Sequence, residues 1–131
     1  MDDLTVATAR NFTPLPVDET RGFPQTFPLL FDGRTYHFRL YANIAASRLS
    51  EQVSFIELPS DDAFLVVQVE VEAEGGGRET IFRRKVVPGL EYEFENIVLV
   101  FTEQRVARGN LNGQGEFGSQ VVGGIARRWA S

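Results

Sequence analysis

Apolar and polar side chains alternate along the middle of this chain with a period of two residues. Residues 34–42 place Tyr36, Phe38 and Leu40 on one face and mainly polar side chains on the other. Residues 64–74 repeat the pattern, with valine and leucine on one face and glutamine and glutamate on the other. A period of two is that of a β-strand with one buried face. The pattern therefore predicts antiparallel sheets packed on one side.

Glycine-containing turns separate these strands. Asp32-Gly33 lies between residues 27–31 and 34–42, and an Asp-Gly pair between apolar strands favours a two-residue hairpin turn. Three consecutive glycines, residues 75–77, return the chain into residues 79–87. A three-residue loop there would place Glu74 opposite Arg78, Glu70 opposite Phe82 and Gln68 opposite Arg84.

The last long strand, residues 90–102, changes character along its length. Its first half alternates between glutamate and apolar residues, whereas residues 97–101 are apolar on both faces. A strand of this kind is expected to be covered on both sides. Either the N-terminal segment of the chain or another subunit could supply the second cover. Between the longer strands, residues 45–52 suit one or two helical turns and residues 53–58 a short strand.

The two ends of the chain differ from the middle. Residues 1–28 carry four prolines and no helical periodicity, which favours extended backbone. Residues 108–118 are rich in glycine and asparagine, and residues 121–129 form a short apolar tail in which Gly123-Gly124 disfavours a helix. We expect an all-β fold, a single antiparallel β-barrel or sandwich. Its parts would be an extended N-terminal arm (1–24), the core (25–107), and a Gly-rich loop with a C-terminal arm (108–131).

Composition limits the class of protein. The 131 residues suit one domain, and 43% of them are hydrophobic, as in globular proteins. The chain has no cysteine, which excludes disulfides and thiolate metal sites. No apolar run reaches the roughly 20 residues of a membrane helix, and the N-terminus lacks the features of a signal peptide. We expect synthesis in a cytoplasm and no membrane partner.

Charge bears on the choice of partner. The formal net charge is −5, which disfavours a nucleic acid as the main partner because such binders need a basic surface. Twelve of the thirteen basic residues are arginine, and Lys85 is the exception. Arginine is the cation favoured in protein interfaces, although codon usage in a GC-rich genome would produce the same bias.

The sequence holds no arrangement typical of an active site. Residues 113–118 spell G-x-G-x-x-G, but neither the preceding strand nor the following helix of a dinucleotide site is predicted. His37 is the single histidine, and the glutamates at alternate positions of residues 70–74 and 91–95 are typical of solvated strand faces. We therefore expect no enzyme activity, no cofactor and no metal.

Two groups of residues are candidates for binding another protein. One is the basic triplet Arg83, Arg84 and Lys85, whose side chains divide between two faces of a strand. It either pairs with the acidic strands of the same chain or forms a charge patch for a subunit interface. The other is the end of the C-terminal tail, with Arg127, Arg128 and Trp129. Residues 1–24 and 121–129 are the expected contact arms.

One run of the sequence resembles a known family. Residues 25–43 read QTFPLLFDGRTYHFRLYAN, and this run resembles the opening of a family of small bacteriophage tail proteins: a Gln-x-Phe strand, a glycine turn, a strand with Tyr-x-Phe-Arg-Leu or Tyr-x-Leu-Arg-Leu, and an asparagine. Val86-Val87-Pro88-Gly89 resembles their second turn, and Gly109-Asn110-Leu111 is similar to a later element. The aromatic-rich strand that follows the asparagine in the family is replaced here by residues 45–56.

The resemblance implies a function. It suggests a small β-barrel adaptor near the tube–baseplate junction of a tailed phage, made in the bacterial cytoplasm and built into the virion. Its partners would be other tail and baseplate proteins and copies of itself in a ring. The alternative is a carbohydrate- or ligand-binding β-sandwich, for which Tyr36, Tyr41, Tyr92 and Trp129 are the candidate aromatic contacts.

Overall fold

The computed structural model of this chain contains two antiparallel β-sheets and describes residues 11–18, 21–49, 55–107 and 120–129. The elements are β1 (Thr13–Pro14), β2 (Gln25–Phe31), β3 (Arg34–Ile44), α1 (Ala46–Leu49), β4 (Phe55–Glu57), β5 (Ala63–Glu72), β6 (Arg78–Val86), β7 (Glu91–Phe94), β8 (Ile97–Ala107) and β9 (Gln120–Arg127). One sheet has the order β2-β3-β5-β6. In the other, β9 lies between β1 and β8, while β4 and β7 pair with the remaining side of β8.

The sheets pack face to face as a sandwich. Their inner faces share one hydrophobic core, in which Phe38 of the first sheet and Phe101 of the second are fully buried. At one side the ring of Phe82 on β6 stacks on Phe94 of β7, with ring centres 4.4 Å apart. The prediction of an all-β fold is confirmed. Of the two architectures expected, the structure has the sandwich, because neither sheet closes on itself.

The first hairpin forms as the Asp-Gly pair predicts. Phe31 and Arg34 are directly paired, so Asp32 and Gly33 alone make the turn. Both turn residues have positive φ angles, 54° and 80°, as a tight hairpin turn of this kind requires. The short helix and the strand after it also form, as Ala46–Leu49 and Phe55–Glu57, and residues 50–54 of these predictions lie outside the described residues.

The predicted register of the second long hairpin is wrong. The observed partners are Glu72 with Arg78, Glu70 with Thr80, and Gln68 with Arg83. The loop is longer than the three glycines, since the Ala73 amide donates to the Gly77 carbonyl at 3.0 Å. A bulge between Val69 and Glu70 then reduces the offset from the predicted register from two residues to one.

The described part of the N-terminal segment lies on its own domain. β1 pairs with β9, and Leu15 is buried in the core. The buried side chain of Gln25 fixes the connection to β2: its amide donates to the carbonyls of Asp18 and Gly22, and its oxygen accepts from the Asp18 amide. Residues 1–10 of the predicted arm lie outside the described residues.

The C-terminal segment differs from the predicted arm. Gln120–Arg127 is a strand with a neighbour on each side, and its side chains of Val121 and Ile125 are buried in the core. The glycine pair that disfavours a helix suits a strand here, because two aromatic rings approach its backbone closely. Residues 108–119 and 130–131 of this predicted unit lie outside the described part of the chain.

The strand that is apolar on both faces is covered on both. Ile97 and Leu99 point into the core, while Val98 lies on the opposite face and is still fully buried. On that outer face Phe12 packs so closely that a Cβ added to Gly124 would lie 2.9 Å from the Cβ of Phe12. The chain's own N-terminal segment, one of the two covers expected, therefore lies over this face of the sheet at β9, the neighbour of β8.

Candidate functional site

The basic triplet lies on β6, which is an edge strand of the first sheet. Arg83, Arg84 and Lys85 are all exposed. Arg83 and Lys85 project from the outer face, whereas the guanidinium of Arg84 lies 5.6 Å from the ring centre of Tyr92 and covers the edge of the core. None of the three forms an ion pair with a described carboxylate.

The neighbouring carboxylates have other partners. Glu70 accepts hydrogen bonds from Gln68 and Thr80, at 3.0 and 3.3 Å. Glu72 contacts the Nε2 atom of His37 at 3.0 Å and the Nε atom of Arg78 at 3.6 Å. One interpretation of the basic triplet was that it pairs with the acidic strand beside it, and this pairing is not observed among the described residues. The three cations therefore remain available to a partner.

The second candidate group lies at the end of β9 and is held by ion pairs. Arg127 contacts Asp32 of the first hairpin turn at 2.9 Å, which links the two sheets at this end. Arg128 contacts Glu93 of β7 at 3.4 Å. These contacts fix the direction in which the chain leaves β9. They join residues more than 30 positions apart in the sequence, so the sequence pattern alone could not reveal them.

Trp129 is exposed but held in place. Its backbone amide donates to the Oδ1 atom of Asn96 at 3.2 Å, and the guanidinium of Arg128 lies 4.8 Å from its ring centre. Yet 59% of its surface is exposed. An exposed tryptophan beside arginines is typical of the residues that contribute most to protein interfaces.

A further ion pair lies at the same end of the sandwich. Arg34 donates to Glu95 at 2.7 Å, and this hydrogen bond raises the pKa of the Arg34 guanidinium. Glu95 itself adopts a positive φ of 50° in the turn between β7 and β8. Ion pairs near Trp129 thus connect the first hairpin of one sheet to the β7–β8 turn and the end of β9 in the other. Asp32, Glu95 and Asn96 also belong to this surface, although no pattern in the sequence predicts them there.

The first sheet also has a shallow groove on its outer face. Its volume is about 420 Å³. Polar and apolar groups line it in similar measure, and the Nε2 atom of its lining residue His37 lies 3.0 Å from the Oε2 atom of Glu72. Among the described residues, no hydroxyl group hydrogen-bonds to His37, so the arrangement lacks a paired nucleophile. The lining residues are Thr26, Phe27, Pro28, His37, Phe38, Arg39, Gln68, Glu70 and Arg78.

The four aromatic residues expected of a carbohydrate site do not form one surface. Tyr36 and Tyr92 are buried in the core, and the Tyr92 hydroxyl accepts a hydrogen bond from the Val87 amide at 2.8 Å. Tyr41 is half-buried on the outer face of the first sheet, and Trp129 lies at the end of the second. A stacking platform for a sugar would need several of them exposed together.

Within the described ranges, no group of three or more His, Asp or Glu side chains is placed to hold a metal ion. No helix among the described residues has the length and apolar character to cross a bilayer. Comparison of the chain with models of known families, with curated proteins and with solved structures found no match.

Proposed function

We propose that this domain is a non-catalytic structural adaptor that joins other protein chains. The observation that carries the proposal is Trp129, which is exposed over 59% of its surface and yet held by Asn96 and Arg128. A side chain already fixed in position loses little conformational entropy when a partner binds. Its large apolar ring can then contribute most of the binding free energy.

Other exposed apolar residues support a role in assembly. Leu30 and Leu90 are 72% and 51% exposed, at separate places on the sandwich. Large apolar side chains at several surface sites suit a protein that contacts more than one neighbour. The unpaired cations of the β6 edge add charge complementarity, which selects partners and fixes their orientation.

The resemblance of residues 25–43 to small phage tail proteins supplies the biological setting of the proposal. In that setting the chain is made in the bacterial cytoplasm and joins tail tube, hub and wedge proteins in the virion, with copies of itself in a ring. The partners are proteins, and neither a nucleic acid nor a membrane is required. The chemistry of the surface and this resemblance are independent supports.

The mass of the purified chain tests the proposal, measured by light scattering alone and after mixing with the products of neighbouring genes. We expect a ring or a stable complex that Trp129→Ala weakens at least tenfold, the loss expected for a central interface residue. Val87→Ala is the control, since it also truncates an exposed apolar side chain, at a position outside the proposed contact surfaces. A monomer that binds none of these proteins would contradict the adaptor role.

The groove on the first sheet favours a second candidate, a ligand-binding module. It offers His37, Arg39 and Gln68 to a small polar molecule. Thermal unfolding with a panel of sugars and organic acids tests this function, with His37→Ala as the variant. A ligand that raises the midpoint of the wild type but not of the variant would establish it; an unchanged midpoint throughout would exclude it for that panel.

A further inference from the structure

The outer face of the first sheet carries a second surface with a distinct composition. At the end of β3, β5 and β6 away from the first hairpin turn, three cations surround two aromatic rings and a valine. We call this surface the basic–aromatic patch. Its residues are Arg39, Tyr41, Phe64, Val66, Arg83 and Lys85.

The strand register places these residues together. Arg39 and Arg83 both lie opposite Gln68, one on each side of it. Tyr41 and Lys85 both lie opposite Val66 in the same way. Neighbouring strands are about 4.8 Å apart, so the backbones that carry Arg39 and Arg83 are separated by roughly 10 Å. An extended segment of a partner could contact both cations at once.

Two of the cations rest on aromatic rings. The Nζ atom of Lys85 lies 4.0 Å from the ring centre of Phe64, and the guanidinium of Arg39 lies 5.7 Å from that of Tyr41. Contact with a ring orients a long side chain and leaves its charge accessible from the solvent side. Arg83 is exposed beside them, and none of the three forms an ion pair with a described carboxylate.

This lack of pairing sets the patch apart from other cations of the molecule. Arg34, Arg78, Arg105 and Arg127 each contact a carboxylate of the chain. A cluster of unpaired cations on a protein of net charge −5 is complementary to an acidic partner. We propose that the basic–aromatic patch binds an acidic segment of a partner protein.

The observations favour a polypeptide over a nucleic acid. Bases bind single-strand readers by stacking on open aromatic faces, but Lys85 and Arg39 already lie over the rings of Phe64 and Tyr41. The net charge of −5 would also repel a long polyanion. A short acidic segment of a polypeptide, in contrast, needs only the three cations of the patch to balance the charge of its carboxylates. The inference deepens the proposed adaptor function by naming the chemistry of one partner, and it uses a surface separate from Trp129.

Fluorescence anisotropy with a labelled octa-glutamate peptide tests the proposal at low ionic strength, about 20 mM, where screening is weak. We expect the triple change Arg39→Gln, Arg83→Gln and Lys85→Gln to weaken binding about tenfold or more. The matched control replaces Arg21, Arg34 and Arg105 by glutamine, which changes the net charge equally, and should bind within about threefold of the wild type. Arg39→Lys with Arg83→Lys, which keeps the charges, should also bind.

Three results would overturn the proposal: no binding by the wild type, equal loss in the patch and control variants, or tighter binding of an oligothymidylate of equal length. Trp129→Ala should keep the peptide affinity. The peptide result therefore stands even if the chain forms no complex with the products of neighbouring genes. If instead the chain formed a complex that depends on Trp129 but did not bind the peptide, the adaptor function would be supported and this inference would be wrong.

Discussion

Two adjacent glycines of β9 allow aromatic rings to pack on both sides of one strand. A Cβ on Gly123 would lie 2.7 Å from the buried ring of Phe101, and a Cβ on Gly124 would meet Phe12 on the opposite face. Real Cβ atoms do not approach so closely, so a larger residue at Gly123 must displace the ring of Phe101, and one at Gly124 must displace the Cβ atom of Phe12. The glycines thus let β9 act as a thin strand between two aromatic contacts.

Replacing Gly123 by alanine is expected to lower the free energy of unfolding by about 1–3 kcal/mol, because the added methyl group overpacks against Phe101. Urea denaturation measures the change. Val122→Ala on the same strand is the control, since Val122 is 44% exposed and should change stability by less than about 1 kcal/mol. Equal effects of the two changes would show that Phe101 adjusts without cost.

A single buried glutamine joins the two sheets. The Nε2 atom of Gln104 on β8 donates to the Leu58 carbonyl at 2.8 Å and to the Val86 carbonyl of β6 at 3.0 Å. Its Oε1 atom is buried without a hydrogen-bond partner. The two donated hydrogen bonds replace those that these two buried carbonyls would make with water in the unfolded chain.

Replacing Gln104 by leucine should therefore destabilise the fold by about 1–3 kcal/mol, even though leucine is more apolar and relieves the unpaired oxygen. Thermal or urea unfolding measures the change. Gln120→Leu, at an exposed position of β9, is the comparison and should lie within about 0.5 kcal/mol of the wild type. A more stable Gln104→Leu variant would mean that the unpaired Oε1 atom costs more than the two hydrogen bonds contribute.

At the residue scale, the sequence pattern predicts the apolar side chains of the core better than it predicts the polar side chains that are buried with them. The inward positions of β3 and β5 follow from alternation alone, as with Phe38 and Val67. The role of Gln104 does not, because it depends on two carbonyls 46 and 18 residues away. The unpaired state of Arg83 and Lys85 likewise depends on where other strands place their carboxylates.

At the scale of elements, β9 has a larger role than its position near the chain end suggests. It pairs with β8 along most of its length and with β1 on its other side. A strand with two neighbours contributes hydrogen bonds on both sides as well as its buried face. β6, in contrast, is an edge strand whose basic side chains discourage pairing with another sheet edge.

Removing residues 120–131 should therefore abolish cooperative unfolding, because it leaves one edge of β8 without a hydrogen-bonded neighbour, removes Val121 and Ile125 from the core, and leaves β1 without a partner. Removing residues 129–131 instead should leave the folded domain intact, since Trp129 is largely exposed. Circular dichroism during thermal unfolding distinguishes the two truncated proteins. If the protein without residues 120–131 still unfolded cooperatively, β9 would not be required for the fold.

Strands and turns were predictable where local chemistry decides them. The Asp32-Gly33 hairpin is correct because two positive φ angles are needed and an Asp-Gly pair supplies them. The register of β5 and β6 was not predictable, because it depends on a bulge beside Val69 and on a loop that extends beyond the glycines. A register error of this kind changes which charges face each other.

For the whole molecule, alternation along the strands indicated the class of fold but not its closure. A sandwich and a barrel both need strands with one apolar face, and they differ in which strands pair at the edges. Here the edges are decided by contacts distant in sequence, such as the pairing of Thr13 with Ile125. The same long-range pairing makes Gln120–Arg127 a strand where an arm was expected.

The pairing of β1 with β9 has a mechanical consequence. Because the two strands are antiparallel and adjacent, the chain enters β1 and leaves β9 at the same end. A force applied on the N-terminal side of Thr13 and the C-terminal side of Arg127 would load their hydrogen bonds one after another, as in a zipper. We expect optical-tweezer extension in this geometry to open the domain at low force. In the proposed adaptor role, load should then pass through the faces of the domain and not through its ends.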